Sequence, residues 1–385
     1  MTRIGWYVHH HGRGHLHRFE AVRAALAGRA EIIAMSELPI DGGLLLSSDV
    51  PSSPTSEPTT PWRCGGPDGG VELRGGADPT AGGFLHWAPV GSASSSVRLA
   101  EMVDFLARVG PDGVVVDVSV ETLLTCRLAG VPTIAVRQHG DRTDPAHRLG
   151  YATARRLLAP FPVELDDSCD PELVARTAHV GFVRPATSGP TTPDSTTPDS
   201  TAPGPMAPGT GDGAGHRPTS VDVGPDDVVV LWGRGGGHLP GAAIDAVTEA
   251  ISGRVFCAGV DVWADDDAPR SERVVELGWV AEPDSLLVRR PVVIASSGNN
   301  VVASVAATRC PFVAVPQDRP FGEQRALAAA LVASGVAALR PDSDEPGAWA
   351  DSIATARARR DRWSVFADRL DGADVAADVI LGTFA

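Results

Sequence analysis

Apolar positions in this chain fall into one phrase that is used twice. Short, nearly continuous apolar runs alternate with stretches whose apolar residues recur every three to four positions, the signature of buried strands alternating with amphipathic helices. The first phrase predicts a strand over Arg3–Val8, a glycine-containing turn over His9–His15, a helix over Leu16–Leu26 and a strand over Glu31–Met35. The second predicts a strand over Asp227–Trp232, a glycine-rich turn over Gly233–Gly237, a helix over Pro240–Ile251 and a strand over Arg254–Cys257. Later runs add strands at Gly113–Asp117 and Thr133–Val136 in the first half, and at Pro291–Ala295 and Phe312–Val315 in the second. Their lack of alternation fits parallel strands covered by helices on both faces. The fold class is therefore α/β, with two Rossmann-like βαβ domains.

The pattern lapses in two places. Residues 186–220 are Thr, Pro, Ser, Asp and Gly, with the near repeat Thr192–Thr196 and Thr197–Thr201. Such a segment has too little to bury to offset its ordering entropy, so it reads as a flexible linker between an N-terminal domain, 1–185, and a C-terminal domain, 221–385. Residues 39–84 are rich in Gly, Pro, Ser and Thr and read as an irregular surface insertion of the first domain. From Ala348 onward the pattern is helical, with Trp349, Ile353, Trp363, Phe366, Leu370, Val375 and Ile380 as candidate buried positions. This tail is expected to pack back across the domain junction. Helix Val97–Arg108 is expected to carry Leu99, Met102, Val103 and Leu106 on one side. That face suits either the core or a lipid-linked acceptor at a membrane surface.

Composition narrows the class. With 385 residues and 43% hydrophobic content the chain is long enough for two cores. Every basic side chain is arginine or histidine, and the net charge is -15, which argues against nucleic-acid binding. The cysteines Cys64, Cys126, Cys169, Cys257 and Cys310 stand far apart, without a C-x-x-C pair, and read as reduced thiols of a cytoplasmic protein. The apolar run Ile4–Val8 is too short for a signal segment, and no run of the length of a membrane span occurs. A chain without lysine has no Walker lysine, which excludes a P-loop kinase or ATPase.

Candidate chemistry sits where predicted strands end. Ser296–Asn300 follows the strand Pro291–Ala295 and opens an apolar helix; its backbone N–H groups suit a diphosphate, because a helix N-terminus has unsatisfied donors and a positive dipole end. Ser297, Gly298, Asn299 and Asn300 are the candidate contacts. The next strand, Phe312–Val315, runs into Pro316–Gln324, where Glu323 and Gln324 suit sugar hydroxyls, or alternatively begin a solvated helix. Gly278–Val280 is a further loop at that sheet edge, placing Val280 beside a base, with Trp279 either part of it or a core aromatic. In the second glycine turn Gly233, Arg234, Gly235 and Gly236 permit close approach of a ligand, with Arg234 as a phosphate contact.

The first glycine turn, His9 to Arg18, supports three readings. Gly12-x-Gly14 lacks a third glycine, so a dinucleotide fingerprint is incomplete, although Glu37 ends the next strand where a ribose-binding acid would stand. The histidines supply imidazoles for zinc, but no Cys or acid completes the set. In the third reading Gly14 lets a phosphate approach and His15, at the helix start, is a general base. Two other strand ends, Asp117–Glu121 and Arg137–Arg142, bring Asp117 and Asp141 as further acid or base candidates, or as caps and loop ion pairs.

With these motifs in place the chain resembles the GT-B glycosyltransferases, in particular the group that includes the N-acetylglucosaminyltransferase MurG. The likeness is strongest over residues 278–331. It implies two Rossmann-like domains facing across a cleft. It places Gly12–His15 at the acceptor, Gly233–Gly237 near the diphosphate, Ser297–Gly298 at the start of the donor helix and Pro316–Gln324 at the donor sugar. The resemblance implies an inverting, metal-independent transfer from a UDP- or dTDP-sugar, without a bound cofactor, and His15 as base ahead of Asp117 and Asp141. Ser304 stands where the family often has a ribose-binding glutamate, which leaves the nucleotide open. A non-hydrolysing nucleotide-sugar epimerase, a noncatalytic nucleotide-sugar-binding protein and a nicotinamide-dependent oxidoreductase are the alternatives. A peripheral position at the inner face of a membrane fits a lipid-linked acceptor.

Overall fold

The repeated phrase builds two parallel sheets. The computed structural model describes residues 1–10, 13–48, 78–184, 221–233, 239–259 and 271–385. The linker 186–220 and much of the insertion lie outside these residues, as do Gly12, Arg234, Gly235 and Gly236.

In the N-terminal half β1 (Thr2–Tyr7), β2 (Ala30–Ser36), β3 (Leu44–Leu45), β4 (Gly113–Asp117), β5 (Thr133–Val136), β6 (Arg156–Ala159) and β7 (Thr177–His179) form one sheet in the order β3-β2-β1-β4-β5-β6-β7. Its helices are α1 (Gly14–Ala25), α2 (Ala93–Val109), α3 (Val120–Leu128), α4 (Pro145–Thr153) and α5 (Pro171–Arg176). In the C-terminal half β8 (Val228–Trp232), β9 (Val255–Gly259), β10 (Val274–Gly278), β11 (Val292–Ala295), β12 (Phe312–Ala314) and β13 (Ala338–Leu339) pair in the order β10-β9-β8-β11-β12-β13. They alternate with α6 (Gly241–Ala250), α7 (Asn299–Thr308), α8 (Glu323–Ala333), α9 (Pro346–Arg359) and α10 (Gly372–Phe384). Every strand pair among the described residues is parallel. In both sheets the chain order reverses at the first strand, between β1 and β4 and between β8 and β11. A crevice opens at the carboxyl ends of strands where such a reversal occurs.

Strand side chains alternate between the two covered faces. Ile4 and Trp6 of β1 meet Phe19 and Val22 of α1 together with Ile380 and Phe384 of α10, whereas Tyr7 joins Met102, Phe105 and Leu106 of α2. In the second sheet Val228, Val230 and Trp232 pack with Ile244 and Val247 of α6 and with Trp349 and Ile353 of α9. Val229 and Leu231 face Val302 and Val305 of α7, Leu327 and Leu331 of α8, and Trp363. Each such aliphatic burial contributes roughly 1.5–3 kcal/mol. The C-terminal helix therefore contributes to the same core as β1 and α1 and ties the first and last segments together.

Two expectations are corrected. Helix α2 extends over Ala93–Val109, capped by Ser92 Oγ accepting from Ser95 N. It buries Arg98, Met102, Phe105 and Leu106, while Leu99 and Val103 are 48% and 45% exposed, so the four apolar residues do not share one covered side. The helix turns because Arg98 is drawn inward to Glu37 (2.5 Å) and to the Tyr7 hydroxyl (2.9 Å). The same ion pair occupies Glu37, which also lies 3.3 Å from His10 Nδ1. Glu37 thus braces α2 and is not poised as a ribose acid. Within the irregular 39–84 segment, Leu44–Leu45 adds a parallel edge to β2.

Candidate active site

The reversal point of each sheet carries part of the sequence-predicted set, His15 and Asp117 in the first sheet and Gly233 and Ser297–Asn300 in the second, and contacts of Asn299 and Asn300 bring the two points together. After β1, helix α1 begins at Gly14, so His15 stands in its first turn. At the end of β4, Asp117 is fully buried and is followed by Val118 at φ +61, a left-handed conformation that costs a β-branched residue about 1–3 kcal/mol. This strained turn aims the Asp117 carboxylate at α1. Arg18, itself 4% exposed, donates to both its oxygens, at 2.7 and 2.9 Å. His15 Nδ1 lies 3.0 Å from Asp117 Oδ1, close enough for charge pairing although not aligned as a hydrogen bond, so Nε2 is the ring nitrogen turned away from that carboxylate. Burial disfavours the ionised form of Asp117, yet Arg18 and His15 outweigh it and hold the carboxyl below its ordinary range.

Across the gap, β11 runs into the buried Ser297 and then α7, whose N-cap Gly298 offers no side-chain cap. Ser297 Oγ is buried without a hydrogen-bond partner. A helix start without a side-chain cap among the described residues and an orphaned buried hydroxyl together suit anionic oxygens. Asn300 Nδ2 stands 3.1 Å from His17 Nδ1, and Asn299 Nδ2 stands 2.9 Å from Gln138 Oε1, so the start of α7 touches the N-terminal domain. Gly233 follows β8, whose Leu231 pairs with Ala295 at the end of β11.

The turn after β12 is internally braced. Gln324 is buried, and its Oε1 accepts from Gln317 N at 2.8 Å, so its carbonyl serves the turn. Glu323 is partly open, 3.6 Å from Arg142. Phe321 adopts φ +61 and reaches the N-terminal domain: its carbonyl accepts from Asp141 N at 2.8 Å, and Arg142 lies over its ring at 4.5 Å. Gly140 permits this approach, because a β-carbon there would come within 2.3 Å of the Phe321 oxygen. Val280 packs against the core of the second domain, whereas Trp279 is 41% exposed and belongs to the loop rather than the core. Ser304 is buried on α7.

Several strand-end polar groups are structural. Ser119 caps α3 by accepting from Thr122 N, and Glu121 accepts from the backbone of His86 and Trp87. Arg137 pairs with Asp166 and donates to Thr177. Asp141 is exposed, and its carboxylate accepts from the hydroxyl and backbone N–H of Thr143, bonds that keep it below its ordinary range. That makes it a weaker base.

Sequence spacing gave no sign of a cluster formed by His86, Asp144 and His147, whose ligand atoms lie within 4.8 Å of one another. Two imidazoles and a carboxylate are a zinc-type set. Here, though, Arg142 Nη1 lies 3.3 Å from His147 Nε2 and Asp144 Oδ2 lies 2.5 Å from His147 Nδ1, so both ring nitrogens already have partners. Among the described residues this is a hydrogen-bonded cluster that seats Phe321, whose ring centroid is 4.7 Å from that of His147.

Burial lowers His147 to about 4 and His139 to about 3, and lowers His17 as well. The unfolded chain takes up these protons near the ordinary histidine value of about 6.5, while the native state does not until lower pH. Their contribution to stability is complete above that value and declines as pH falls through it. Urea unfolding at pH 7 and pH 5 is expected to show a loss of about 1–3 kcal/mol. Unchanged or higher stability at pH 5 would mean that these rings are charged in the native protein.

Solved structures resemble the chain over almost its whole length. The glycotransferase of kitacinnamycin superposes with a TM-score of 0.63 at 16% identity, covering 99% of this chain and 98% of that one. The spinosyn rhamnosyltransferase complexed with thymidine diphosphate gives 0.60 at 17% identity, with 99% and 100% covered. A UDP-glucosyltransferase from Polygonum tinctorium capable of glucosylating indoxyl gives 0.63 at 12% identity, with 100% and 98% covered. No family model matches the sequence, and no curated protein does. The fold common to these structures and to this chain is GT-B.

Proposed function

We propose that this protein is a glycosyltransferase that moves a sugar from a nucleoside-diphosphate donor to an acceptor hydroxyl with inversion. The observation that carries the reading is the opposition of the His15–Asp117 pair to the uncapped start of α7, with its orphaned Ser297 hydroxyl. The donor diphosphate sits at Ser297, Gly298, Asn299 and Asn300 beside Gly233. The base lies towards Val280, the ribose towards Ser304 and the sugar at Glu323 and Gln324. The sequence adds Arg234, Gly235 and Gly236, which lie outside the described residues, as donor contacts.

His15 Nε2 takes the proton from the acceptor hydroxyl as its oxygen forms a bond to the anomeric carbon. The bond from that carbon to the diphosphate breaks, and its electron pair goes to the leaving oxygen, where the α7 N–H groups and Ser297 stabilise the charge. Asp117 stabilises the imidazolium that results. Proteins of this fold in the comparisons include one complexed with thymidine diphosphate and one named for UDP-glucose transfer, which supports a nucleoside-diphosphate donor here. UDP-N-acetylglucosamine, the MurG-like donor, and a dTDP-sugar are both in range. The half-exposed Val97, Leu99 and Val103 of α2 support an apolar acceptor, a lipid-linked one at a membrane surface included. No helix among the described residues is long and apolar enough to cross a membrane.

Thermal unfolding of the full chain with UDP, dTDP, GDP or NAD tests the donor. A nucleoside diphosphate at one hundred times its dissociation constant is expected to add about 2.7 kcal/mol to native stability. Stabilisation by NAD alone would favour an oxidoreductase and overturn the transferase reading.

A further inference from the structure

A line of polar groups, three of its four side chains buried, crosses the domain gap from the carboxylate behind His15 to the first turn of α7. It begins at Asp117, both of whose oxygens accept from Arg18. It continues at Gln138, which follows β5 and is 4% exposed. With the Gln138 amide oriented by its neighbours, its oxygen accepts from Arg18 Nη2 and Nη1 at 3.1 and 3.2 Å, and its nitrogen faces the Asn299 amide at 2.9 Å. That nitrogen donates to Asn299 once the Asn299 amide is itself turned to offer its oxygen; in the other orientation of Gln138, Asn299 Nδ2 donates to Gln138 Oε1. The line ends at Asn299, the first residue of α7.

Each link limits the next. Arg18 is planar and holds Asp117 through two bonds, so a rotation of the guanidinium turns the carboxylate that stands 3.0 Å from His15. Gln138 fixes the plane of Arg18 from the other side. Asn299 in turn fixes Gln138, but only while the second domain rests on the first. A buried amide is costly unless its hydrogen bonds are made, and this one makes them to a group of each domain.

We propose that Gln138 is a positioning residue for the transfer: it couples the seating of the donor helix α7 to the alignment of Asp117 against His15. The proposal rests on the transferase reading above. Neither Gln138 nor Arg18 touches the reacting atoms; both act through the Asp117 carboxylate.

The test uses the full chain, with nucleoside diphosphate release from UDP- and dTDP-sugars as readout, the slow hydrolysis without acceptor included. Gln138→Ala is expected to lower kcat by about 10- to 100-fold, in line with the cost of small misplacements, and to move donor KM by less than about threefold. It is also expected to displace the acidic limb of the pH profile of kcat. Gln138→Glu, whose two carboxylate oxygens accept from Arg18 and from Asn299 Nδ2, should recover most of the loss. Wild-type turnover in Gln138→Ala, a loss confined to donor KM, or an unmoved pH limb would each overturn the proposal. If the wild-type protein neither binds nor cleaves a nucleotide sugar, the transferase reading fails by itself. The coupling is then read by NMR titration of the His15 ring: a titration displaced in Gln138→Ala supports it, and one that overlays the wild type overturns it.

Discussion

His15→Ala is expected to reduce turnover about a thousandfold while leaving donor binding within a few-fold of wild type, because a positioned base contributes to the transition state and little to the ground state. No other candidate is as well placed. Asp117 is fully buried with both oxygens on Arg18, so its proton affinity is spent inside the protein. Asp141 is tied to Thr143 and exposed. His17 is turned to Asn300. Steady-state release of nucleoside diphosphate, paired with thermal shift by the same diphosphate, separates the two effects. Turnover within tenfold of wild type would remove His15 as base; loss of donor binding with turnover would make it a phosphate contact instead. Reduced turnover with intact binding is what the location of Nε2, directed away from Asp117, requires.

Much of this site is legible in the sequence because parallel sheets place ligands at strand ends, and strand ends are marked by glycine, serine and histidine. His15, Asp117, Ser297 and Asn299 are found that way, and the structure brings them to two facing reversal points. The partners that give them their chemistry are less visible. Arg18 reads as an exposed helix arginine until Asp117, 99 positions away, is seen to claim it. Gln138 reads as one polar residue of a loop, since its second partner lies 161 positions on, in the other domain. His86 and Asp144 meet across 58 positions in the same way. The misjudged face of α2 has a similar cause: periodicity counts Arg98 as polar and outward, whereas Glu37 and the Tyr7 hydroxyl supply the bonds that let it turn inward. Helical periodicity registers side-chain apolarity; it is blind to charges that are matched in space.

The matched pair at the centre of the site predicts the largest change in stability. Asp117→Ala is expected to destabilise the fold by roughly 3–5 kcal/mol, since it leaves the Arg18 guanidinium buried without its counter-charge. Loss of packing alone would be small for so short a side chain, so the size of the effect distinguishes the two causes. Adding Arg18→Met removes the orphaned charge, and the double variant should regain much of the stability measured by urea unfolding. It should not regain turnover, because His15 then lacks the carboxylate that stabilises its charged form. The pH dependence follows from the same pair. Asp117 is held below its unfolded value, so its contribution is present above the ordinary carboxylate range and is lost as pH falls through the lower, native value. The single variant should accordingly lose less stability on acidification than the wild type. If Asp117→Ala were as stable as the wild type, Arg18 would have water or another acceptor, and the buried pair could not be what holds the carboxylate beside His15 in place. If the double variant stayed as unstable as the single one, the cost would lie in the strained Val118 turn rather than in the unpaired charge.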